Sequence, residues 1–274
     1  MTSAPSADIL GALSNQLADA VDRARRAIVT VNGRQRQAAT GIVVAHGQIL
    51  TADHVLEREE DLTIVTDDGR TLQAQFAGRD AAADLALLRV ADLNLDPIAK
   101  AGPARVGQII LAVGRPSPAG PMASLGIVSA IGGPLRTRRG GAVEQVIQTD
   151  ATPYPGFSGG PLIDSTGAAL GLLTTGLAGG VALAIPAEIA WRTATALAQH
   201  GNVRRGFLGV SSQPVAIPEA QRAGRSHEAG LLIVKVEPGS PAAQAGMILG
   251  DILVTLDGHP VTDTGDLQAL LTGD

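Results

Sequence analysis

Ser158 sits within Pro155-Gly156-Phe157-Ser158-Gly159-Gly160-Pro161-Leu162. Glycines on both sides let the chain turn sharply and leave the hydroxyl exposed. They also leave main-chain N–H groups able to converge on one point, as stabilising an oxyanion requires. A serine nucleophile further needs a base and a group that orients the base. His54 ends an apolar run in Thr51-Ala52-Asp53-His54-Val55-Leu56, and Asp84 opens another in Asp80-Ala81-Ala82-Ala83-Asp84-Leu85. Each segment alone is weak, because a glycine-rich turn with a serine is usually only a turn. Of the five histidines, only His46 and His54 precede Asp84 and the glycine-framed serine, and of these His54 ends the apolar run.

The same segment fits Gly-x-Ser-x-Gly, the nucleophile elbow of α/β-hydrolases. That elbow needs a helix directly after the serine. Gly159-Gly160-Pro161-Leu162-Ile163-Asp164 starts a strand instead, so the hydrolase expectation fails on local structure. The chain has no cysteine, which excludes thiol catalysis, disulfides and cysteine-ligated metal. No His/Asp/Glu cluster has metal-ligand spacing, and no cofactor is expected. A formal net charge of −5 argues against nucleic-acid binding through bulk electrostatics.

These residues must be positioned by strands. The chain has 274 residues, 45% of them hydrophobic and only 2% aromatic, so aliphatic side chains must fill the core. With 34 glycines and 16 prolines, a turn-rich β protein is favoured over a helical bundle. Six short aliphatic runs lie between Ala27 and Val90, and about six more between Gln108 and Pro186. Twelve short strands at regular spacing predict two small antiparallel barrels side by side. Arg136, Arg138 and Arg139 read as a solvated turn within the second set.

Helical periodicity brackets the strands. Leu10, Leu13, Leu17, Val21 and Ala24 share one face of a predicted N-terminal helix, suited to docking on the body or to an oligomer contact. Residues 187–200 predict a second helix with Ala190, Ala194 and Leu197 on one face, stopped by Gly201-Asn202. Beyond it lies a compositionally different module: Gly206-Phe207-Leu208-Gly209-Val210, a polar loop, Leu231 to Val236, a short helix, and Asp251 to Gly258. A final helix follows, with Asp263 and Asp266 as a capping pair.

The trio TADHVL, DLALLRV and PGFSGGPLID, in that order, resembles the trypsin-like serine proteases of the HtrA/Deg type. Gln148-Thr149-Asp150-Ala151 and Ser124 to Ala130 are similar to family patterns as well. The resemblance implies a mainly β fold, a chymotrypsin-like double β-barrel followed by a small, truncated α+β PDZ domain. Its expected parts are a helical segment at 1–26, a protease domain at 27–200 with barrels at 27–100 and 101–190, and a PDZ domain at 201–274.

It also implies roles. Ser158 attacks the scissile carbonyl, His54 is the base and then the acid, and Asp84 orients the imidazole. The N–H groups of Gly156 and Ser158 form the oxyanion hole. Asp53, Asp80 and Asp150 are competing acids, and Asp80 is the nearest rival; the position at the start of a strand and the family motif favour Asp84. Thr152 and Pro153 form the floor of the primary pocket, and Leu173, Thr174 and Thr175 its wall. With no acid at that floor, small or medium aliphatic residues are expected before the cleaved bond. Phe157 departs from the family, which usually has asparagine there. An apolar ring cannot ion-pair with a newly cut N-terminus, so activation by that route is excluded.

In the PDZ module, Gly206, Phe207, Leu208, Gly209 and Val210 are similar to a carboxylate-binding loop and groove strand, implying capture of C-terminal peptides. The match breaks off before a last strand, so an incomplete domain is expected. The function implied is a serine endopeptidase acting on unfolded or damaged proteins, with unfolded substrates as partners and a homotrimer as the expected assembly. The rival is a catalytically inactive scaffold or chaperone binding unfolded polypeptides. No membrane segment and no export signal are legible, which predicts a cytoplasmic chain, or an extracytoplasmic one if a signal has been removed.

Overall fold

The computed structural model describes residues 8–35, 37–137, 141–178, 181–203, 206–222, 224 and 226–271. They divide into two compact units, with the main division after Val203, three residues beyond the expected boundary, and residues 141–142 grouped with the second unit. Asn202 belongs to the first unit because it bridges Arg79.

The first unit opens with α1 (Ile9–Ala24), capped by the Asp8 carboxylate accepting from the Gly11 N–H at 2.8 Å. Its apolar stripe splits in two. Ala20 and Ala24 are buried, with Leu17 and Val21 packed against the core, whereas Leu10 is 79% exposed and Ile9 and Leu13 also face outward.

Six strands then close a barrel: β1 (Ile28–Asn32), β2 (Ala39–Ala45), β3 (Gln48–Ala52), β4 (Leu62–Val65), β5 (Thr71–Asp80) and β6 (Leu85–Arg89). Closure comes from β1 pairing with β4 at Thr30–Val65, which leaves no free edge. Nearly every residue of β1, β2, β3 and β6 is buried, so these strands read as continuous aliphatic runs.

The second barrel uses β7 (Ile109–Gly114), β8 (Met122–Gly132), β11 (Val146–Thr149), β12 (Pro161–Ile163), β13 (Ala169–Thr174) and β14 (Leu183–Pro186). Both barrels carry the six strands expected. Between β8 and β11 a small pair, β9 (Leu135–Thr137) and β10 (Gly141–Val143), stands where only a turn was expected. Buried Val143 and partly buried Leu135 anchor it; Arg138 and Arg139 lie outside the described residues. Helix α2 (Ala187–His200) lays Ala190, Thr193, Ala194 and Leu197 against β5, β6, β13 and β14. Gly201, left-handed at φ 72°, ends it by donating to the Leu197 carbonyl.

The second unit holds the three-stranded sheet β15 (Val210–Ala216), β16 (Ala229–Val236) and β17 (Ile252–Leu253), the helix α3 (Pro241–Gln244) and the hairpin β18 (Thr255–Leu256)/β19 (His259–Pro260). Helix α4 (Thr264–Leu270) completes it. Reciprocal bonds start α4 as expected: Asp266 N–H donates to Asp263 Oδ1 at 2.9 Å, and Asp263 N–H to Asp266 Oδ2 at 3.3 Å. One expectation is corrected. Gly206 to Gly209 is loop, and the strand begins at Val210 and runs through the polar stretch read as a loop. As the edge of its sheet, β15 tolerates Pro214 and exposed polar side chains. Among the described residues, Leu231, Val261 and Leu267 form the buried cluster of this unit, a thin core. Among the described residues, no helix is long and apolar enough to cross a membrane.

Candidate active site

His54 stands in a 3-10 turn, Asp53–Val55, directly after β3, and Asp84 immediately precedes β6, the strand paired with β3. That pairing brings two residues distant in sequence side by side. Asp84 adopts φ 54°, uncommon for a non-glycine residue and costing on the order of 1–3 kcal/mol. The strain is held by neighbours: Asp53 N–H donates to the Asp84 carbonyl at 3.1 Å, and Asp80 Oδ1 accepts from the Ala82 and Ala83 N–H groups. Asp80, the rival acid, thus shapes the turn that presents Asp84. Asp53 is buried and ion-paired to Arg79 at 3.3 Å.

The Asp84 carboxylate, 4% exposed, takes three hydrogen bonds. Oδ1 accepts from the His54 main-chain N–H at 2.8 Å. Oδ2 meets His54 Nδ1 at 2.7 Å and accepts from Thr174 Oγ1. An ionised carboxylate only accepts, so it fixes the Nδ1–H tautomer and leaves Nε2 as the basic nitrogen. A Cβ on Gly176 would lie 2.6 Å from Asp84 Oδ2 and 2.7 Å from His54 Nδ1, so only glycine fits beside the pair.

Ser158 comes from the loop between β11 and β12 and is 8% exposed. The first barrel grips this loop: Thr40 N–H donates to the Ser158 carbonyl at 3.2 Å. Gly159 N–H donates to the Leu173 carbonyl, and Leu173 N–H to the Gly160 carbonyl, both at 2.8 Å. Gly156 takes φ 88°. Among the described residues, the N–H groups of Gly156 and Ser158 donate to no protein acceptor. Phe157 is buried under the loop, edge-on to Tyr154 with ring centroids 5.4 Å apart. Among the described residues Ser158 Oγ bonds Thr175 Oγ1, at 3.2 Å, and does not bond His54.

The residues expected at the pocket are placed differently from one another. Thr152 is exposed and its N–H donates to Ser124 Oγ at 2.8 Å, while neighbouring Pro153 is half-buried. Leu173 turns its side chain into the core of the second barrel, and Thr174 donates to Asp84 Oδ2. Alternate residues of β13 thus face opposite ways. Thr175 alone of the three reaches Ser158 Oγ. Asp150, the third rival acid, is tied to β8, its Oδ1 accepting from Ile127 N–H at 2.7 Å.

In the second unit, a groove of about 330 Å³ runs between residues 206–212 and the α4 side chains Thr264, Leu267 and Gln268. Gly206, Phe207, Leu208, Gly209 and Val210 all line it. Gly206 N–H donates to the Leu271 carbonyl at 2.6 Å, and Phe207 is 61% exposed.

Two six-stranded barrels, with His54 and Asp84 on one and Ser158 on a loop of the other, define the trypsin-like class of serine-peptidase folds. Residues 39–172 match the trypsin-like peptidase domain family, and residues 232–274 the PDZ domain family. The chain is 36% identical over 246 residues to a Rhizobium meliloti protein named "Probable periplasmic serine endoprotease DegP-like", covering 86% of this chain and 48% of the relative. The chain therefore spans about half the length of the curated relatives it matches. The serine endoprotease from Yersinia pestis superposes with a TM-score of 0.72 at 30% identity, over 95% of this chain and 88% of that one. The HtrA-type protease AlgW with a tripeptide gives 0.70 at 31%, over 93% and 87%. The chain belongs to the HtrA-type serine protease family.

Proposed function

We propose that this chain is a serine endopeptidase that cuts unfolded polypeptides after small or medium aliphatic residues. The observation carrying this reading is the His54 imidazole held at 2.7 Å by a buried, three-times-bonded Asp84 carboxylate. For attack, the Ser158 hydroxyl exchanges Thr175 for His54 Nε2, which takes the proton as Oγ adds to the carbonyl carbon. Asp84 stabilises the imidazolium, which then protonates the leaving amine. The N–H groups of Gly156 and Ser158 hold the tetrahedral oxyanion, an effect worth about 3 kcal/mol per donor. Water, deprotonated by the same imidazole, releases the acyl-enzyme.

Thr152 and Pro153 offer no negative charge, so a lysine or arginine at the cleavage position would enter unpaired at a cost of several kcal/mol. Apolar pockets discriminate by only about 1–3 kcal/mol per methylene, which suits a broad preference. The groove beside β15 would take a C-terminal peptide as an added strand; the AlgW structures hold peptides. We place the working compartment outside the cytoplasm, since the relatives are named periplasmic, and the assembly as a homotrimer. Mass-spectrometric mapping of cuts in denatured casein tests the specificity. Cuts after valine, alanine or leucine are expected, and cleavage mainly after arginine or lysine would overturn the pocket assignment.

A further inference from the structure

Phe157 leaves the nucleophile loop without an ion pair to hold it, yet the oxyanion hole requires a fixed loop. The bonds that replace it run through buried Thr40. Arg115 N–H donates to Thr40 Oγ1 at 2.8 Å, and that hydroxyl, its acceptor side occupied, donates to the Gly156 carbonyl at 2.6 Å. The hydroxyl has a single proton, so the Arg115 N–H aims it at Gly156. The Gly156 carbonyl is thereby kept from turning toward the space where the oxyanion develops.

The segment Gly114-Arg115-Pro116 at the end of β7 builds the rest of the cradle. A Cβ on Gly114 would lie 2.4 Å from the Phe157 ring, and one on Gly156 would lie 2.5 Å from Pro116 Cβ. Arg115 itself is 2% exposed and its backbone is doubly fixed, since the Thr30 hydroxyl donates to its carbonyl at 2.9 Å. Its guanidinium bonds the Asp67 carboxylate, which also accepts from Arg25 Nε at 3.0 Å. The bond and charge of Asp67 hold the Arg25 guanidinium above its ordinary pKa.

We infer that Thr40 is a positioning residue for the oxyanion hole, with Arg115 as its anchor: the Arg115 N–H, Thr40 hydroxyl and Gly156 carbonyl form a neutral lock doing what an ion pair to the nucleophile loop would do. The inference rests on the endopeptidase reading and assigns a new part of the same site. Because the lock acts on an interaction made in the transition state, it should control kcat and leave KM nearly untouched.

Thr40→Val keeps the shape and removes the hydroxyl; Thr40→Ser restores it. Steady-state hydrolysis of a chromogenic peptide should show kcat lowered about 100-fold in Thr40→Val with KM within about threefold, and kcat within about threefold of wild type in Thr40→Ser. The affinity of a peptide boronate, whose tetrahedral adduct mimics the oxyanion, should fall in parallel with kcat. Should valine prevent folding, Thr40→Ala, smaller and open to water, is measured instead. A folded Thr40→Val or Thr40→Ala with unchanged kcat overturns the inference, as does an equal loss in Thr40→Ser, which would assign the effect to packing. A wild type without Ser158-dependent turnover would instead sink the endopeptidase reading itself.

Discussion

At the scale of single residues, the chemistry depends on side chains whose partners lie far away in sequence. His54, Asp84 and Ser158 stand out in the sequence because three short motifs, weak singly, occur in order. Thr174 carries no such local signal: its partner Asp84 lies 90 residues earlier, and only the closing of both barrels brings them together. Gly176 left no signal either, since its need for a missing Cβ arises from His54 and Asp84 packed against it. Thr174→Val removes a hydrogen bond to a charged group, worth about 1.5–3 kcal/mol. The expected outcome is kcat/KM lowered about 10- to 100-fold, with Tm lowered by roughly 3–12 °C. Full activity in that variant would show that Asp84 needs no support from β13.

At the scale of elements, the barrel strands followed from aliphatic runs closed by glycine or polar turns; most are buried along their length, whereas β5 and β8 are largely exposed or half-buried. The edge strand β15 escaped notice because its Val-Ser-Ser-Gln-Pro-Val-Ala sequence carries no apolar face, and its order comes from pairing with β16. The junction between β7 and the loop after β4 was equally hidden. There, buried Arg115 depends on Asp67, whose side chain is 23% exposed. Asp67→Ala would leave the guanidinium buried without its counter-charge. Breaking fully buried pairs costs about 3–5 kcal/mol, and partial exposure of Asp67 brings the expectation down to about 2–3 kcal/mol. Urea denaturation of the variant measures it, and a loss under 0.5 kcal/mol, the size of an ordinary surface change, would mean that Arg115 is stabilised without Asp67.

At the scale of the whole molecule, the outward half of the α1 stripe offers a contact surface while the inward half is spent on the core. We expect Leu10→Glu/Leu13→Glu to convert a trimer to monomers by light scattering with Tm nearly unchanged in the monomer. A variant that stays trimeric would move the contact elsewhere. The proposed proteolytic function depends on all parts acting at Ser158, and one measurement reaches it directly. Folded protein is exposed to a fluorophosphonate probe in the presence of denatured casein, and the modified peptide is identified by mass spectrometry. The expected result is a single adduct on Ser158, none in Ser158→Ala, and labelling slowed by at least about 10³-fold in His54→Ala. A folded wild type that takes up no probe, or labels equally fast without His54, would contradict the serine endopeptidase and favour a binding scaffold.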